Sequence, residues 1–463
     1  MKMVANVVRS EWVVPIHTIE EQKVQLSNLD LLLPAQYVGV FLCYKKPTCI
    51  SFRQMVSILK LALAKVIVHF YVFSSEVVRN SNGYSEIKCD NKGIEFIEAY
   101  SDLELIQLDL YNSHQTVEPN LLPNNNFRVF SIKVTEMKCG GIIIGCNFDH
   151  RVADAYSTNM FLLSLAEISN SKPISTIPSF TKSLLNPRNP CFYNPTLNDM
   201  YVPIPSSHFK NNIKNLSSIN HTKKEPLISR IYSVNAQEII NLQSQTKGTK
   251  LESFSAFLWK LISEHTSKMY AQISKSDEQA IITSYSKTCK MGIVVDGRTR
   301  LSNNNNNHRS ELHNYFGNVL SLPFVTKTIN KLNSMTLAKI TQEVHGFLEQ
   351  VKNKQHFEDL IDYVQIHHPQ QILAKIYDQG RENGPAFVVS SGQRFPVSKI
   401  DFGWGKPLFG SYHFPWNGDA GYVMPMPSTK ENGDWIVYML LNESQLDFIE
   451  MEASHVFQPF KFS

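Results

Sequence analysis

The stretch Gly140-Gly141-Ile142-Ile143-Ile144-Gly145-Cys146-Asn147-Phe148-Asp149-His150-Arg151-Val152-Ala153-Asp154 organises the first half of the chain. An apolar run of strand length ends in a histidine, and an aspartate four residues further on begins a helical pattern. The imidazole of His150 is therefore predicted to lie at a strand-to-helix junction, a good position for a general base. On the strand pattern alone, a hydrogen-bonded histidine of the core is the more common interpretation.

The flanking residues predict the partners of this strand. Residues 127–134 approximate an apolar alternation, and Lys138-Cys139-Gly140-Gly141 supplies a turn, so a β-hairpin is expected. Residues 156–168 carry apolar side chains at helical spacing. Asp154 is well placed to be the N-cap of that helix.

The composition bounds the size and class of the protein. A chain of 463 residues exceeds what one hydrophobic core usually supports, so two domains of roughly 200 residues are expected. The net charge of +4 comes from scattered basic residues, which argues against nucleic-acid binding. The seven cysteines lack the spacing of a zinc site and are interpreted as reduced thiols of a cytoplasmic protein. Neither a secretory signal nor a membrane span is evident, and a monomer is expected.

The chain divides into three parts. Residues 1–170 alternate strand and helix patterns and are interpreted as an N-terminal α/β domain. Residues 171–225 are rich in proline, serine and asparagine, and are expected to form a long extended crossover. The patterns resume in residues 226–463, which are interpreted as a C-terminal domain.

The C-terminal part carries several specific predictions. A central strand is expected at 281–295, and helical spacing predicts helices at 332–351 and 357–366. The five asparagines at 303–307 are interpreted as a solvated insert in a loop. His367-His368-Pro369 is interpreted as a loop rather than a metal site, because adjacent histidines point apart and no cysteine or carboxylate stands at ligand spacing.

Two motifs connect the chain to a known family. The residues are His150-Arg151-Val152-Ala153-Asp154 and Asp401-Phe402-Gly403-Trp404-Gly405. They resemble the HxxxD and DFGWG motifs of the plant BAHD acyl-CoA-dependent acyltransferases, in the same order. HxxxD alone is a weak signal, whereas the pair is specific. Three more segments resemble the family, so that the resemblance covers essentially the whole chain: Ser183-Leu184-Leu185-Asn186-Pro187-Arg188, Asp296-Gly297-Arg298-Thr299-Arg300-Leu301 and Tyr315-Phe316-Gly317-Asn318.

The resemblance implies a fold and a reaction. The expected fold is α/β (α+β), with two chloramphenicol-acetyltransferase-like domains, each a mixed β-sheet packed with helices. The implied reaction transfers an acyl group from the co-substrate acyl-CoA to an alcohol, without a permanently bound cofactor. Residues 148–162 and 401–425 are similar to the coniferyl alcohol acyltransferase branch, so a phenylpropanoid alcohol is the leading acceptor. An amine acceptor giving an amide is the alternative.

The implied chemistry needs a base. The hydroxyl of an acceptor is a poor nucleophile at neutral pH, and a neutral imidazole with a pKa of roughly 6.5 can take its proton and return it to the departing CoA thiolate. His150 is the candidate for both steps. Direct transfer in a ternary complex is the hypothesis, because the sequence has no Gly-x-Ser-x-Gly and Cys146 lies inside the apolar run.

The resemblance gives other residues supporting roles. Asp154 is expected to hold the loop of His150, with Arg298 or Arg300 as its partner. The second motif is expected to be structural, with glycines that permit positive φ, and Trp404 as a pocket wall or oxyanion donor is the less favoured interpretation. Its structural residues are Asp401, Gly403, Trp404 and Gly405. The residues expected near CoA are Thr249, Lys250, Arg298, Ser390 and Ser391.

The sequence departs from the family pattern in three places. Ala155 follows the HxxxD aspartate where glycine is usual, and its methyl group is expected to fit a helical first turn. Tyr71-Val72-Phe73-Ser74-Ser75-Glu76 replaces the common Tyr-Pro-Leu-Ala-Gly-Arg. Gly392 stands where tryptophan is often found, and it is expected to open space beside the acceptor pocket.

Two other classes of function compete. A binding protein could keep the fold and the CoA pocket without turnover, but the intact His150 argues against it. A metal hydrolase built on HxxxD needs a third ligand, which the sequence does not offer, so no metal is expected.

Overall fold

The computed structural model describes residues 3–81, 83–124, 128–204, 225–273, 287–302, 311–377, 384–416 and 418–462. The asparagine run at 303–307, residues 205–224 of the crossover and residues 281–286 of the expected strand lie outside them. In the described part of the chain, no helix combines the length and the apolar character that crossing a bilayer requires.

The first half of the chain alternates strands and helices. Its strands are β1 (Asn6–Val13), β2 (Gln22–Gln25), β3 (Tyr37–Tyr44), β4 (Glu76–Arg79), β5 (Ser85–Cys89), β6 (Ile94–Ser101), β7 (Phe130–Met137), β8 (Ile142–Asp149) and β9 (Tyr201–Ile204). Its helices are α1 (Phe52–Val66), α2 (Ser113–Thr116), α3 (Ala155–Ser169) and α4 (Leu197–Met200). The hairpin of β7 and β8 and the helix that follows it are confirmed.

The second half adds further elements. Its strands are β10 (Leu227–Val234), β11 (Thr288–Ile293), β12 (Val295–Asp296), β13 (Leu320–Ser321), β14 (Phe324–Thr328), β15 (Gln371–Ala374), β16 (Ala386–Val389), β17 (Phe409–His413), β18 (Gly421–Pro427), β19 (Trp435–Asn442) and β20 (Gln458–Pro459). Its helices are α5 (Ala236–Thr246), α6 (Lys250–Ile273), α7 (Ile329–Ser334), α8 (Leu337–Val351), α9 (Lys354–His367) and α10 (Glu443–Glu452).

A six-stranded mixed sheet carries the HxxxD segment. Its order is β1-β6-β7-β8-β3-β17, and β6 and β7 run parallel while the other neighbours are antiparallel. The last strand comes from the second half of the chain, and its Ser411 lies opposite Phe41 of β3. The sheet therefore draws on both halves of the chain, and the boundaries at residues 170 and 225 stay a prediction.

A second mixed sheet has the order β14-β11-β16-β18-β19-β10-β20. The pairs β11–β16 and β16–β18 are parallel. The strand predicted at 281–295 is confirmed for Thr288–Ile293, which form β11 and have a hydrogen-bonded neighbour on each side. β11 lies next to the edge strand β14, and the chain leaves it after Ile293 to pair β12 with β13 in a separate ladder.

Aromatic packing fixes α3 against the first sheet. The ring of Phe161 on α3 lies 4.9 Å from that of Phe130 on β7, and Phe73 lies 4.8 Å from each of them. All three side chains are fully buried. Offset and edge-on aromatic pairs contribute stabilisation beyond that of the apolar area they bury. These contacts therefore fix the middle of α3 against the first sheet.

Two predictions about helices are corrected. The helix expected at 332–351 is two helices, α7 and α8, because the hydroxyl of Thr336 accepts the N–H of Lys339 and begins a new helix. His367 is the last residue of α9 and not part of a loop; its Nδ1 lies 2.8 Å from the carbonyl of Tyr363. The rest of the helix expected at 357–366 is confirmed within α9.

The start of the crossover is fastened to the second half of the chain by Arg188. Its Nε donates to Oδ2 of Asp362 at 2.7 Å and its Nη2 donates to Oδ1 of Asp359 at 2.6 Å. Both carboxylates lie on α9 and are buried. Charge-assisted bonds of this kind hold the part of the crossover that precedes β9, and β9 itself pairs with β15.

Candidate active site

His150 lies one residue beyond β8, and its backbone is held on both sides. Its N–H donates to the carbonyl of Gln36 at 2.8 Å, and its own carbonyl accepts from Nδ2 of Asn318 at 2.9 Å. Asp149, the last residue of β8, accepts the N–H and Nε of Arg151, each at 3.0 Å, and so closes the turn. The predicted strand-to-helix junction is confirmed.

The ring of His150 sits among aromatic side chains. Phe148 and Phe414 pack against it in edge-on geometry, with centroids at 6.3 and 6.1 Å. Burial lowers the pKa of His150 from its ordinary value of 6.5, although main-chain groups of His150 and Ala153 and the carboxylates of Asp154 and Asp149 oppose the shift. The imidazole is therefore neutral near pH 7. Its Nδ1 is buried and has no hydrogen-bond partner among the described residues, and His150 lines the cavity.

Asp154 has a structural role. Its Oδ1 accepts the N–H of Ser157 at 2.9 Å, which makes it the N-cap of α3. Nη1 of Arg298 donates to its Oδ2 at 2.7 Å and Nη2 donates to its Oδ1 at 3.1 Å. Of the two arginines considered as its partner, Arg298 forms the pair and Arg300 lies on the cavity wall.

A cavity of about 440 Å³ runs between the two halves of the chain. His150, Phe148 and Tyr156 come from the first half, and Ile293, Ser391 and Tyr412 are among those from the second. Residues from sequence positions so far apart meet only in the folded chain. Among the described residues, no group of three or more His, Cys, Asp or Glu side chains is arranged to hold a metal ion.

The residues expected near CoA separate into two groups. Thr249, Ser390 and Ser391 line the cavity. Lys250 is exposed at the start of α6 and does not line it, while the guanidinium of Arg298 is 3% exposed and faces Asp154. Of these five residues, three therefore line the cavity, Lys250 does not, and Arg298 is already paired with Asp154.

Other cationic side chains line the cavity instead. Lys352 and Arg394 belong to its wall together with Arg300. Arg394 is mostly exposed, and it lies 3.8 Å from the carboxylate of Asp296. No signal in the sequence distinguishes these residues from ordinary surface lysines and arginines, because basic side chains are common in helices and loops.

An aromatic wall closes another side of the cavity. The rings of Phe414 and Tyr422 stack at 4.2 Å, and those of Tyr377 and Trp416 lie 4.7 Å apart. All four residues line the cavity. The abundance of aromatic residues in the last third of the sequence was a weak signal for this wall, since it did not show which rings would meet.

The DFGWG segment lies away from the cavity. Oδ1 of Asp401 accepts the N–H groups of Gly403 and Gly405 at 2.8 and 2.9 Å. Both glycines have positive φ, 107° and 106°, which side chains with a Cβ rarely adopt. The carbonyl of Asp401 accepts from Asn170 at the end of α3, and Trp404 packs edge-on against Tyr44 at 6.2 Å. None of these motif residues lines the cavity, which supports a structural role for the turn.

The departures from the family pattern have different outcomes. Ala155 is the first residue of α3, as expected. The expectation of open space beside Gly392 was wrong, because a Cβ there would lie 2.4 Å from Cγ of Met426 and 3.0 Å from Cε of Met424. Cys146, which the sequence places inside the apolar run, is fully buried in β8, and burial raises the pKa of its thiol.

Comparison with known proteins gives consistent matches along nearly the whole chain. A family model described as the Transferase family matches residues 3–456. Shikimate O-hydroxycinnamoyltransferase of Nicotiana tabacum is 24% identical over 442 residues, which are 92% of this chain and 94% of that protein. Anthranilate N-benzoyltransferase protein 1 of Dianthus caryophyllus is 25% identical over 430 residues, 88% of this chain and 90% of that protein.

The fold has solved counterparts as well. TRI101 of F. graminearum, complexed with coenzyme A and T-2 mycotoxin, has a TM-score of 0.72 and 14% identity, and the match covers 94% of this chain and 99% of that one. This likeness confirms the fold that was expected from the sequence.

Proposed function

The chain belongs to the Transferase family of BAHD acyltransferases, and on that premise we propose that it moves an acyl group from a CoA thioester to the hydroxyl of a small aromatic alcohol, with His150 as the general base. The family assignment gives the reaction class. The residues that line the cavity support the aromatic alcohol as acceptor and His150 as the general base.

The reaction needs one proton to move twice. Nε2 of His150 takes the hydroxyl proton as the oxygen attacks the thioester carbonyl, which forms the C–O bond of a tetrahedral intermediate. The C–S bond then breaks, and the imidazolium returns the proton to the departing thiolate, so that an ester and CoA thiol result. A neutral imidazole is required at the start, which the burial of His150 favours. General-base catalysis typically contributes about 10²–10⁴-fold, and positioning of the substrates supplies the rest.

The cationic side of the cavity suits the co-substrate. CoA carries phosphates, which charged side chains recognise through charge-assisted hydrogen bonds. Lys352, Arg300 and Arg394 offer such donors, and the hydroxyls of Ser390 and Ser391 lie on the same cavity. TRI101, which shares the fold, was solved with coenzyme A bound. We assign these side chains to the CoA end of the cavity.

The aromatic wall suits the acceptor. Flat rings pack against stacked aromatic side chains with a gain of about 0.5–1.5 kcal/mol per pair beyond the buried area. Phe414 belongs to this wall and also contacts the ring of His150. An aromatic alcohol that lies on the wall would bring its hydroxyl near the base. A phenylpropanoid alcohol such as coniferyl alcohol is the leading acceptor.

An amine acceptor is the second candidate. The match to an anthranilate N-benzoyltransferase favours it, because that name specifies an amide product. The same base serves an amine. Pairs of acceptors with one aromatic scaffold, bearing either a hydroxyl or an amino group, separate the two candidates by their relative kcat/KM.

The observation that carries the proposal is the imidazole of His150 on the wall of a cavity lined from both halves of the chain, where burial lowers its pKa and so favours the neutral ring. The test incubates the protein with a panel of acyl-CoAs and acceptors and measures thiol release and product mass. His150→Ala is expected to lose at least about 10²-fold in kcat. His455→Ala, at an exposed histidine that does not line the cavity, is the matched control and should retain activity.

Three results would contradict the proposal. Normal turnover by His150→Ala would exclude His150 as the general base. Ping-pong kinetics, or an acylated protein trapped without acceptor, would exclude direct transfer in a ternary complex. Binding of CoA without thiol release for any acceptor would favour a binding protein.

A further inference from the structure

Two polar side chains of the cavity wall are hydrogen-bonded to each other, and the proton transfer by His150 uses neither. Oη of Tyr412 on β17 donates to Oδ1 of Asn159 on α3 at 2.8 Å, and both residues line the cavity. Tyr412 is 2% exposed, and its ring packs edge-on against those of Phe148 and Phe395, with centroids at 6.5 and 5.0 Å. The phenol is therefore held in place by its neighbours.

The hydroxyl of Tyr412 determines which atom of the Asn159 amide faces the cavity. Its single proton has two possible acceptors, Oδ1 of Asn159 at 2.8 Å and the carbonyl of Ala155 at 3.3 Å, and the second distance is long for an O–H···O bond. The carbonyl of Ala155 lies one helical turn before Asn159, where it is the usual acceptor for the backbone N–H of that residue. The proton therefore goes to Oδ1, and the donor of the amide, Nδ2, is turned away from the hydroxyl.

The donor side of this amide is open to the cavity. Among the described residues, Nδ2 of Asn159 has no hydrogen-bond partner, and it is not one of the fully buried polar atoms. Asparagine is also a weak helix former, so its place inside α3 brings no advantage in helix stability. An oriented amide among aromatic rings is the kind of polar group that fixes the orientation of a ligand and selects it.

The position of the pair relative to the base indicates which part of a ligand the amide would meet. The ring of Phe148 contacts that of His150 with centroids 6.3 Å apart and that of Tyr412 with centroids 6.5 Å apart. The pair of Asn159 and Tyr412 is thus connected to the base through an intervening ring. It would meet a substituent of a bound substrate and not the reacting hydroxyl or thioester. The rings beside the amide suit an aromatic substrate.

We propose that Asn159 is a specificity-determining residue, whose Nδ2 donates a hydrogen bond to an oxygen substituent, a hydroxyl or a methoxy group, on the aromatic ring of a bound substrate. Tyr412 positions the amide for this bond. The inference rests on the proposed function, because the ligand is a substrate of the same cavity. The ring belongs either to the acyl group or to the acceptor, and the two arms of the test distinguish these sources.

The test measures kcat/KM for pairs of substrates that differ in their ring oxygens. In the acyl arm, p-coumaroyl-CoA is compared with cinnamoyl-CoA at one saturating acceptor. In the acceptor arm, coniferyl alcohol is compared with cinnamyl alcohol at one saturating acyl-CoA. Each ratio is determined for the wild-type protein and for Asn159→Leu, which keeps the size of the side chain and removes the amide. Calorimetry gives the dissociation constants of the same compounds.

Asn159→Leu is expected to lower the preference for the oxygenated ring by about three- to tenfold in one arm, the scale of one hydrogen bond between uncharged groups. The other arm should not change. Asn159→Asp keeps an acceptor for the hydroxyl of Tyr412 but has no donor, so it should lose the same preference. Tyr412→Phe releases the amide and should weaken the preference although Asn159 is still present. These two variants also test the inference if Asn159→Leu does not fold.

The matched control is Asn241→Leu in α5. Asn241 is another half-buried asparagine inside a helix, and its Oδ1 accepts a hydrogen bond from Nε2 of Gln237 at 3.0 Å. It does not line the cavity. Both ratios should therefore keep their wild-type values in this variant.

The outcomes separate the inference from the proposed function. Turnover with unchanged ratios in both arms by a folded Asn159→Leu overturns the inference and leaves the proposed function intact. A preference that Asn159→Asp retains also overturns it, because an acceptor would then face the ligand. A wild-type protein without acyl transfer, whose dissociation constants still discriminate ring oxygens in a way that Asn159→Leu abolishes, overturns the proposed function and supports the inference.

Discussion

Asp154 and Arg298 are joined by two hydrogen bonds, of 2.7 and 3.1 Å, across 144 residues of sequence. Both side chains are almost completely buried. Their pair ties the N-terminus of α3 to the segment after β12, and Nη2 of Arg298 also donates to the carbonyl of Gly317 at 2.8 Å. The loop of His150 is therefore supported by a contact that only the folded chain provides.

Removal of the arginine should strongly destabilise the protein. Arg298→Ala leaves the buried carboxylate of Asp154 without its counter-charge, and breaking a buried pair in this way costs about 3–5 kcal/mol. The free energy of unfolding is measured by urea titration at pH 7. Arg300→Ala, at the exposed neighbour, should change it by no more than about 0.5 kcal/mol. Equal effects of the two substitutions would show that the pair does not hold the loop.

Activity should decline only on the acidic side. Burial lowers the pKa of His150 below 6.5, and the neutral ring is the active form. As pH falls, kcat/KM therefore stays level until the ring gains a proton, and the midpoint of the decline should lie below pH 6.5. The measurement is kcat/KM from pH 5 to 8 with an acceptor that does not titrate in this range. A midpoint above pH 6.5 would mean that nearby carboxylates outweigh burial.

The attachment of the crossover to α9 should matter for stability. Arg188→Leu leaves Asp362, which is 0% exposed, and Asp359 without their cation, so the free energy of unfolding should fall by about 3 kcal/mol. Lys354→Ala removes the exposed i,i+4 pair with Glu358 on the same helix and should cost about 0.5 kcal/mol or less. Thermal unfolding of both variants provides the comparison, and a similar Tm for both would refute the prediction.

Replacing the buried Lys133 by methionine should stabilise the protein. Lys133 on β7 is 5% exposed, and burial lowers the pKa of its ammonium from the ordinary value of 10.5. In the folded state the charge is disfavoured relative to the unfolded chain, so Lys133→Met should raise the free energy of unfolding at pH 7 by on the order of 1 kcal/mol.

The gain in stability of Lys133→Met should depend on pH. The unfolded lysine stays protonated up to about pH 10.4, whereas the folded lysine releases its proton earlier. The advantage of Lys133→Met should therefore shrink as pH rises toward 10. Lys138→Met, in the exposed turn that follows β7, is the control and should show little change. A loss of stability at pH 7 would indicate that the ammonium is favourably solvated.

Local features of the fold followed from local patterns in the sequence. The alternation before His150, the glycine turn and the capping aspartate predicted β7, β8 and the start of α3, because strand period, turn chemistry and helix caps involve residues close in sequence. The same reasoning failed at Thr336, where apolar spacing continued across a hydroxyl cap. A cap changes the backbone path without interrupting a hydrophobic pattern.

The sequence by itself determined the order of many elements, the HxxxD junction and, through motif resemblance, the family. Only the tertiary structure decided that Arg298 rather than Arg300 pairs with Asp154, that β17 completes the first sheet, that Met424 and Met426 fill the space beside Gly392, and that Asn318 holds the carbonyl of His150. Each of these contacts joins residues that are separated along the chain. Their formation depends on how whole sheets and helices pack, which periodicity and capping do not encode.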